Sequence, residues 1–244
     1  MTLGARPMTA ARAAVLAVVP DAPEWVEARA IAADDAAWAI PSAGSGGKGW
    51  VIGSDAARLM IAVGSVKAGE AIEALAAGDE DGWTLLAAIE RDDVVAAAET
   101  AGHGAARAAI HTLPAAARDA LPALEGAALL GADDSLDEIP RPLAEELRIA
   151  IARGRPVWAV RVDGVPASFA YAPWRSEAWF DVSVDTLQRF RQLGLGTVVA
   201  SAMIRGEREL GREPVWGSDE ANAASMRLAA RLGFVRVAGL WVIA

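Results

Sequence analysis

The stretch Arg191-Gln192-Leu193-Gly194-Leu195-Gly196 constrains this 244-residue chain more than any other, because its two glycines stand where a strand pattern gives way to a helical one. Upstream, Phe180, Val182 and Val184 alternate as in a half-buried strand; from Thr197, the residues Val198, Val199, Met203 and Ile204 recur at helical spacing until Gly211 supplies a stop. Such a turn bares the start of a helix. With no side chains at 194 and 196, an anion can approach the backbone, where the first-turn N–H groups and the helix dipole favour its charge. Arg191 adds a cation at the rim. Taken alone, the glycine pair reads more readily as an ordinary strand-to-helix turn that needs glycine for its backbone angles.

A second stretch, Trp216 to Phe234, reads as strand, loop, capped helix and strand. Pro214 to Trp216 is a short apolar run, Ser218 or Asp219 can cap the helix, Met226, Leu228, Ala229 and Leu232 form its packed stripe, and Gly233 ends it. Asn222 and Ser225, three apart, share one face.

Together the two stretches resemble the two acyl-coenzyme A motifs of the GNAT acyltransferase superfamily. Arg191, Gly194 and Gly196 match the Arg/Gln-x-x-Gly-x-Gly/Ala pattern; Asn222, Ser225, Leu228, Leu232, Gly233 and Phe234 match the helix that follows the next strand. The resemblance runs from about Asp133 to Ala244, with Pro156–Asp163, Val165–Ala172 and Trp179–Thr186 as the antiparallel strands before the first motif. It implies a mixed α/β sheet, splayed at its middle and flanked by helices, that admits acetyl-CoA as acyl donor. By the same resemblance, the backbone of Val184, Asp185 and Thr186 pairs with the pantetheine arm much as another strand would. The amides of Gln192, Leu193, Gly194, Leu195, Gly196 and Thr197 bind the pyrophosphate, and Asn222 contacts the cofactor arm with Ser225 one turn later. Asn222 reads otherwise as a plain helix cap.

One departure stands out. Many family members carry a tyrosine seven residues after the helix asparagine, where its hydroxyl can protonate the departing thiolate; this chain has Ala229 there. Tyr171, the single tyrosine, falls on an earlier strand, so Ser225 or a water is the remaining candidate acid. The amine's proton also needs a route, for which Glu177 and Asp181 are the best-placed carboxylates. Each reads more readily as a solvated strand end.

Composition narrows the rest. An apolar fraction of 54% can build a sizeable core, and the absence of cysteine excludes disulfides, thiolate metal sites and a cysteine nucleophile. His103 and His111 are too few and too far apart to define a metal site, so no metal is expected. No apolar stretch is long enough for a membrane span, and residues 1–20 lack a clustered basic start, which points to a cytoplasmic protein. The net charge of −9 argues against nonspecific nucleic-acid binding. Lys plus Arg number 9 against 17 acidic residues over 1–130, and that acidity suits a cationic acceptor.

Residues 1–130 read as a smaller N-terminal α/β domain before the catalytic 131–244. Its expected helices are Met8–Val19, Pro23–Ala37, Lys67–Ala77 and Asp92–Thr100; its expected strands are Trp50–Gly53, Arg58–Val63, Trp83–Ile89 and Ala106–Leu113. That order resembles a degenerate acyltransferase copy in tandem; a lineage-specific cap is the equal alternative. Pro114–Pro122 and Gly131–Pro140 read as connections. Gly44-Ser45-Gly46-Gly47-Lys48-Gly49 lacks the Ser/Thr and first glycine of a nucleotide loop and reads as a surface loop. Trp174 and Trp179 are candidates to wall an acceptor pocket.

The expected reaction is transfer of an acetyl group from acetyl-CoA to an amine, on a small molecule or a protein, by direct attack. Two other readings remain: an acyl-CoA-binding domain without chemistry, motivated by Ala229, and a dinucleotide-binding oxidoreductase, weakened because Val199 stands where a third glycine belongs.

Overall fold

The computed structural model describes residues 4–78, 82–122, 125–131 and 134–244, and in it the periodicities of the sequence become alternating helices and strands. In chain order these are β1 (Arg6–Pro7), α1 (Met8–Leu16), α2 (Val26–Ala33), β2 (Trp38–Pro41), β3 (Gly49–Ser54), β4 (Leu59–Gly64) and α3 (Ala68–Ala76). There follow β5 (Thr84–Ala88), α4 (Asp92–Thr100), β6 (Ala105–Thr112), α5 (Ala115–Asp119), β7 (Ala127–Leu129) and α6 (Arg141–Ala152). The rest are β8 (Val157–Val162), β9 (Val165–Tyr171), β10 (Trp179–Asp181), β11 (Ser183–Thr186), α7 (Leu195–Glu209), β12 (Glu213–Asp219), α8 (Ala223–Leu232) and β13 (Val235–Ile243).

Contacts divide the chain into one unit of Met1–Ile110, Ser218–Asn222 and Val237–Ala244 and a second of His111–Gly217 and Ala223–Arg236. The division falls at Ile110 rather than at 130, and the chain's last residues join its first unit. The strands form a large mixed sheet and a smaller antiparallel one, both accompanied by helices, the α/β class expected. In the first unit, β1, β2, β3 and β4 run antiparallel to their neighbours, β4 pairs parallel with β5, and β5 pairs antiparallel with β13, Leu240 facing Ala88 and Ile243 facing Leu85. Its core joins Val51, Met60 and Leu85 of the sheet to Ile72 and Leu75 of α3 and Val94 of α4.

In the second unit β11, β9, β8 and β7 form an antiparallel sheet, and β10 pairs parallel with β12. The β8–β9 hairpin turns on Asp163 (φ 51) and Gly164 (φ 82), the left-handed pair a two-residue hairpin requires. Period-two alternation then sorts β9: Phe169 and Tyr171 pack toward Leu147 and Ala150 of α6, while Ala170 packs toward Met203 and Ile204 of α7 and Ala229 of α8.

Several expectations change. The helix expected over Pro23–Ala37 is a 3-10 turn at Pro23–Trp25 followed by α2, which ends because Asp34 turns extended (ψ 122) and its carboxylate takes the N–H of Ala36. The stretch Pro114–Pro122 contains α5, and α6 follows the expected loop, of which residues 132 and 133 lie outside those described. The expected strand Trp179–Thr186 is two strands: residues up to Asp181 pair with β12, whereas those from Ser183 pair with β9. This change of partner at Val182 is the splay. The Gly44–Gly49 stretch spans most of the loop between β2 and β3 and the first residue of β3; Gly44, Gly46 and Gly47 have open space around them, as a surface loop should.

Candidate active site

Val182 donates its N–H to the carbonyl of Val215 at 2.9 Å, and beyond this bond β11 leaves β12 and stands as the edge of its own sheet. Its inner edge is satisfied by β9, Ser183 facing Tyr171 and Thr186 facing Ser168. Among the described residues no strand covers its outer edge; the Leu187 N–H bonded to the Ala167 carbonyl sets Ser183 and Asp185 to bond inward to β9, so the backbone groups turned outward, which an extended ligand can join, are those of Val184 and Thr186 rather than of Asp185. Thr186 is fixed by its hydroxyl, 2.8 Å from that of Ser168, and its carbonyl accepts from Arg191 Nε at 3.2 Å.

Past Leu187 a short 3-10 turn, Gln188–Phe190, leads to the glycine motif. Gln192 (φ 66) and Gly194 (φ 80) both adopt the left-handed region, and Gly194 is the residue from which α7 starts. Thr197 and Val198 donate back to the Gly194 carbonyl at 3.0 and 3.4 Å, while the N–H groups of Leu195 and Gly196, at the head of the helix, have no acceptor within it. The first turn of α7 carries no acidic residue and no side-chain cap, which leaves its positive end uncompensated. The Thr197 hydroxyl oxygen is buried without a partner. A Cβ on Gly194 would meet nothing within 4 Å, whereas one on Gly196 would lie 3.2 Å from Leu228 of α8 and 3.6 Å from Val184. Strand edge, bare helix start and α8 thus converge on Gly196. The bare amides, the orphaned Thr197 hydroxyl and the open face of Gly194 fit a diphosphate, and the free edge of β11 fits an amide-bearing arm.

Asp181 lies just before the splay. Burial pushes its carboxyl up to about 7, while the Gly217 N–H pulls in the other direction. Its own N–H donates to the Trp174 carbonyl at 3.0 Å, and Trp174 and Trp179 are both half-buried beside it in sequence. Glu177 is exposed at the tip of the turn that Ser176 closes on Trp179. Arg175 anchors this segment: its guanidinium grips Glu207 of α7, a carboxylate only 3% exposed, with Nε 3.1 Å from both oxygens, and donates to the Ala172 carbonyl. Ser225 accepts the indole N–H of buried Trp216 at 2.9 Å. Asn222 directly precedes α8, donates its N–H to the Asp219 carbonyl, and belongs with residues 218–222 to the first unit. Ala229, at the position of the familiar tyrosine, is 1% exposed in the core.

On the α6 side of β11 the structure assembles a group that sequence reading passed over. The Tyr171 phenol, 2% exposed, is pushed far up by burial and by its hydrogen bond to Glu146, against a bond from Ser183. Asp185 is raised by burial and by repulsion from Glu146, and lowered by Arg191. The helical recurrence of Leu143, Ala144, Leu147 and Ala150 was the signal that could have found α6 and with it Glu146. His111 is buried with Nδ1 3.2 Å from the Trp216 carbonyl, a structural contact. Among the described residues no group of three His, Asp or Glu is placed to hold a metal ion, and no helix is long and apolar enough to cross a membrane.

With this geometry in place, comparison with known proteins is informative. Residues 159–240 match the family model of GNAT acetyltransferases, a segment that runs from within β8 to within β13. A GCN5-related N-acetyltransferase-like protein from Streptococcus suis superposes with a TM-score of 0.61 at 14% identity, covering 97% of this chain and 98% of that one. A GCN5-related N-acetyltransferase from Kribbella flavida gives 0.56 at 17% identity over 80% and 86%. A tandem GNAT protein of the clavulanic acid biosynthesis pathway gives 0.51 at 19% over 85% and 82%. At these identities the likeness is one of fold. No curated protein matches.

Proposed function

We propose, from the premise that residues 159–240 are a GNAT acetyltransferase domain, that this protein transfers an acetyl group from acetyl-CoA to an amine. The observation that carries the reading is the junction of a free strand edge with an uncapped, acid-free helix start at Gly194–Thr197. The diphosphate sits beside Arg191, on the amides of Gln192 to Gly196 and against the hydroxyl of Thr197, whose own N–H is taken by the Gly194 carbonyl, and the pantetheine arm lies along Val184–Thr186. An unprotonated amine attacks the thioester carbonyl, and a backbone N–H on the outer edge of β11 stabilises the developing oxyanion. The carbon–sulfur bond breaks with its electron pair on sulfur, near Ser225. Asp181 takes the proton of the attacking amine; a carboxyl poised near 7 has the affinity for that task. Glu177, exposed on its turn, is the second carboxylate within the same segment.

The burial of Ala229 supports the other reading, a carrier-binding domain without chemistry. Calorimetric titration with acetyl-CoA, on the protein and on a Gly194→Trp variant checked for folding by its thermal melt, tests the common premise. Binding by the first and none by the second is expected; equal binding would put the site elsewhere. Release of thiol with any of a panel of amines then separates enzyme from binder, and its complete absence would favour the binder.

A further inference from the structure

The two units repeat one succession. In the first it is β2, β3, β4, α3, β5 and α4; in the second β8, β9, the β10–β11 pair, α7, β12 and α8. The strand before the helix pairs parallel with the strand after it over three residues in both cases, Leu59–Ile61 with Thr84–Leu86 and Trp179–Asp181 with Glu213–Val215, and then parts from it. The start of α3 therefore corresponds to the start of α7. The surroundings of the two starts are opposite. Before α7 the chain takes residues 187–194 to leave the strand, and the hairpin of that unit is the tight turn Asp163–Gly164. Before α3 only residues 65–67 intervene, and the hairpin loop is the longer 42–48.

That longer loop is folded onto the α3 turn. Ser65 donates its N–H to the Lys48 carbonyl at 2.7 Å, and Ser42 donates to the Gly49 carbonyl at 2.9 Å. The approach is so close that a Cβ on Gly64 would lie 2.1 Å from the Lys48 oxygen, and one on Gly49 2.4 Å from the Ser65 carbonyl. These are backbone contacts, which cannot give way as a side chain could. The Ser42 hydroxyl accepts the N–H of Lys67, from which α3 starts, at 3.2 Å and donates to the Glu70 carboxylate at 2.5 Å. Glu70, in the first turn of α3, also accepts from the Ala43 N–H at 3.2 Å and pairs with Lys67 at 3.4 Å. The Ser42 hydroxyl is the main influence holding this carboxyl below its usual range, against partial desolvation. An anion already faces this helix, and it is the protein's own.

We propose that the first unit is a self-plugged counterpart of the second: its glycine-rich hairpin loop and Glu70 fill the place where the second unit takes a diphosphate, so the chain binds one acyl carrier, at α7. This rests on the function proposed above. It gives the Gly44–Gly49 stretch a role, since its glycines let the loop turn sharply enough to lie over Ser65.

Calorimetry with acetyl-CoA on the full chain, together with hydrogen exchange with and without it, tests the inference. One equivalent is expected for the wild type, none for Gly194→Trp, and one for Glu70→Ala with Kd within about twofold of wild type and a lowered Tm, because Glu70 holds the loop and not the carrier. Exchange should slow over residues 192–198 and stay unchanged over 64–70. Two equivalents in the wild type, one retained by Gly194→Trp, protection over 64–70, or a tenfold loss of affinity in Glu70→Ala would each overturn the inference while leaving the functional reading intact. No binding by the wild type would instead sink that reading, and this inference with it.

Discussion

Asp181 is the residue whose chemistry and stability are most sharply opposed. Its carboxyl, raised to about 7 mainly by burial, is half ionised near neutrality, so the fraction able to act as a base grows as pH rises through that range. We expect kcat/KM for acetyl transfer to rise with pH through about 7, and Asp181→Asn to lose that limb along with about a hundredfold in rate. A pH profile without such a limb, or the same limb in the variant, would count against the assignment. The stability effect has a definite sign. The unfolded carboxyl titrates near 3.8 and the folded one higher, so the group's favourable contribution is complete below 3.8 and lost as pH rises through 7. Asp181→Asn should therefore gain on the wild type between pH 4 and pH 8 by about 2 kcal/mol, less than the full shift implies because the side chain is partly exposed. Denaturant titrations at the two pH values measure this. At this scale the sequence was legible where the chemistry is local: Arg191, Gly194 and Gly196 declare a turn from three positions. It was silent on Tyr171 and Glu146, whose contact joins β9 to α6 and depends on packing that no spacing along the chain encodes.

Elements with a sustained period were read well, and those that switch partner or rest on a few residues were not. Helix α4 has two acidic residues at its start and a regular apolar stripe, and its expected bounds hold at both ends. The strand Trp179–Thr186 alternates throughout, so its pattern cannot reveal that the hydrogen-bond partner changes at Val182. The same holds for β2, where Trp38–Pro41 follows directly on a run of alanines that favours helix. Helix α7 offers the clearest separation of fold from function. At Gly196, inside its first turn, alanine gains about 1 kcal/mol of helix propensity, and its Cβ would press the end of the Leu228 side chain, which can move by a few tenths of an ångström. Gly196→Ala should thus keep its stability within about 1 kcal/mol of wild type. A single methyl there meets Leu228, Val184 and Thr186 where the edge of β11 meets the helix start, and the motif itself accepts alanine at this position. Acetyl-CoA affinity should therefore stay within about threefold for Gly196→Ala and fall at least about tenfold for the bulkier Gly196→Val. Thermal melts and calorimetry on one preparation decide the point: lost stability in Gly196→Ala would make Gly196 structural, and unchanged affinity in Gly196→Val would move the arm away from β11.

For the molecule as a whole, the decisive fact is that Val237–Ala244 belong to the first unit. A boundary near 130 follows from proline and glycine punctuation, which reports where the chain bends and cannot report which strand a terminal segment joins. The pairing of β13 with β5 links positions more than 150 apart. It is well anchored: Leu240 and Ile243 are buried, Trp241 donates its indole N–H to the Ile89 carbonyl at 3.0 Å, and the Arg107 guanidinium lies 4.8 Å from the centre of its ring. Gly104 and Ala244 exchange N–H···O bonds of 2.8 and 3.1 Å, holding the last residue in place. Exposing Leu240 and Ile243 alone costs roughly 1.5–3 kcal/mol each. The bare edge of β5 adds unpaired backbone groups, and the sum is comparable with the whole stability of a small domain. A chain ending at Arg236 should accordingly lose hydrogen-exchange protection over Leu85–Ala88, and a fragment of residues 1–130 should fail to unfold cooperatively by circular dichroism. Retained protection in the shortened chain would mean that β5 is held from its β4 side alone. In that case the closing strand would be dispensable, and the first unit would be independent of the chain's end.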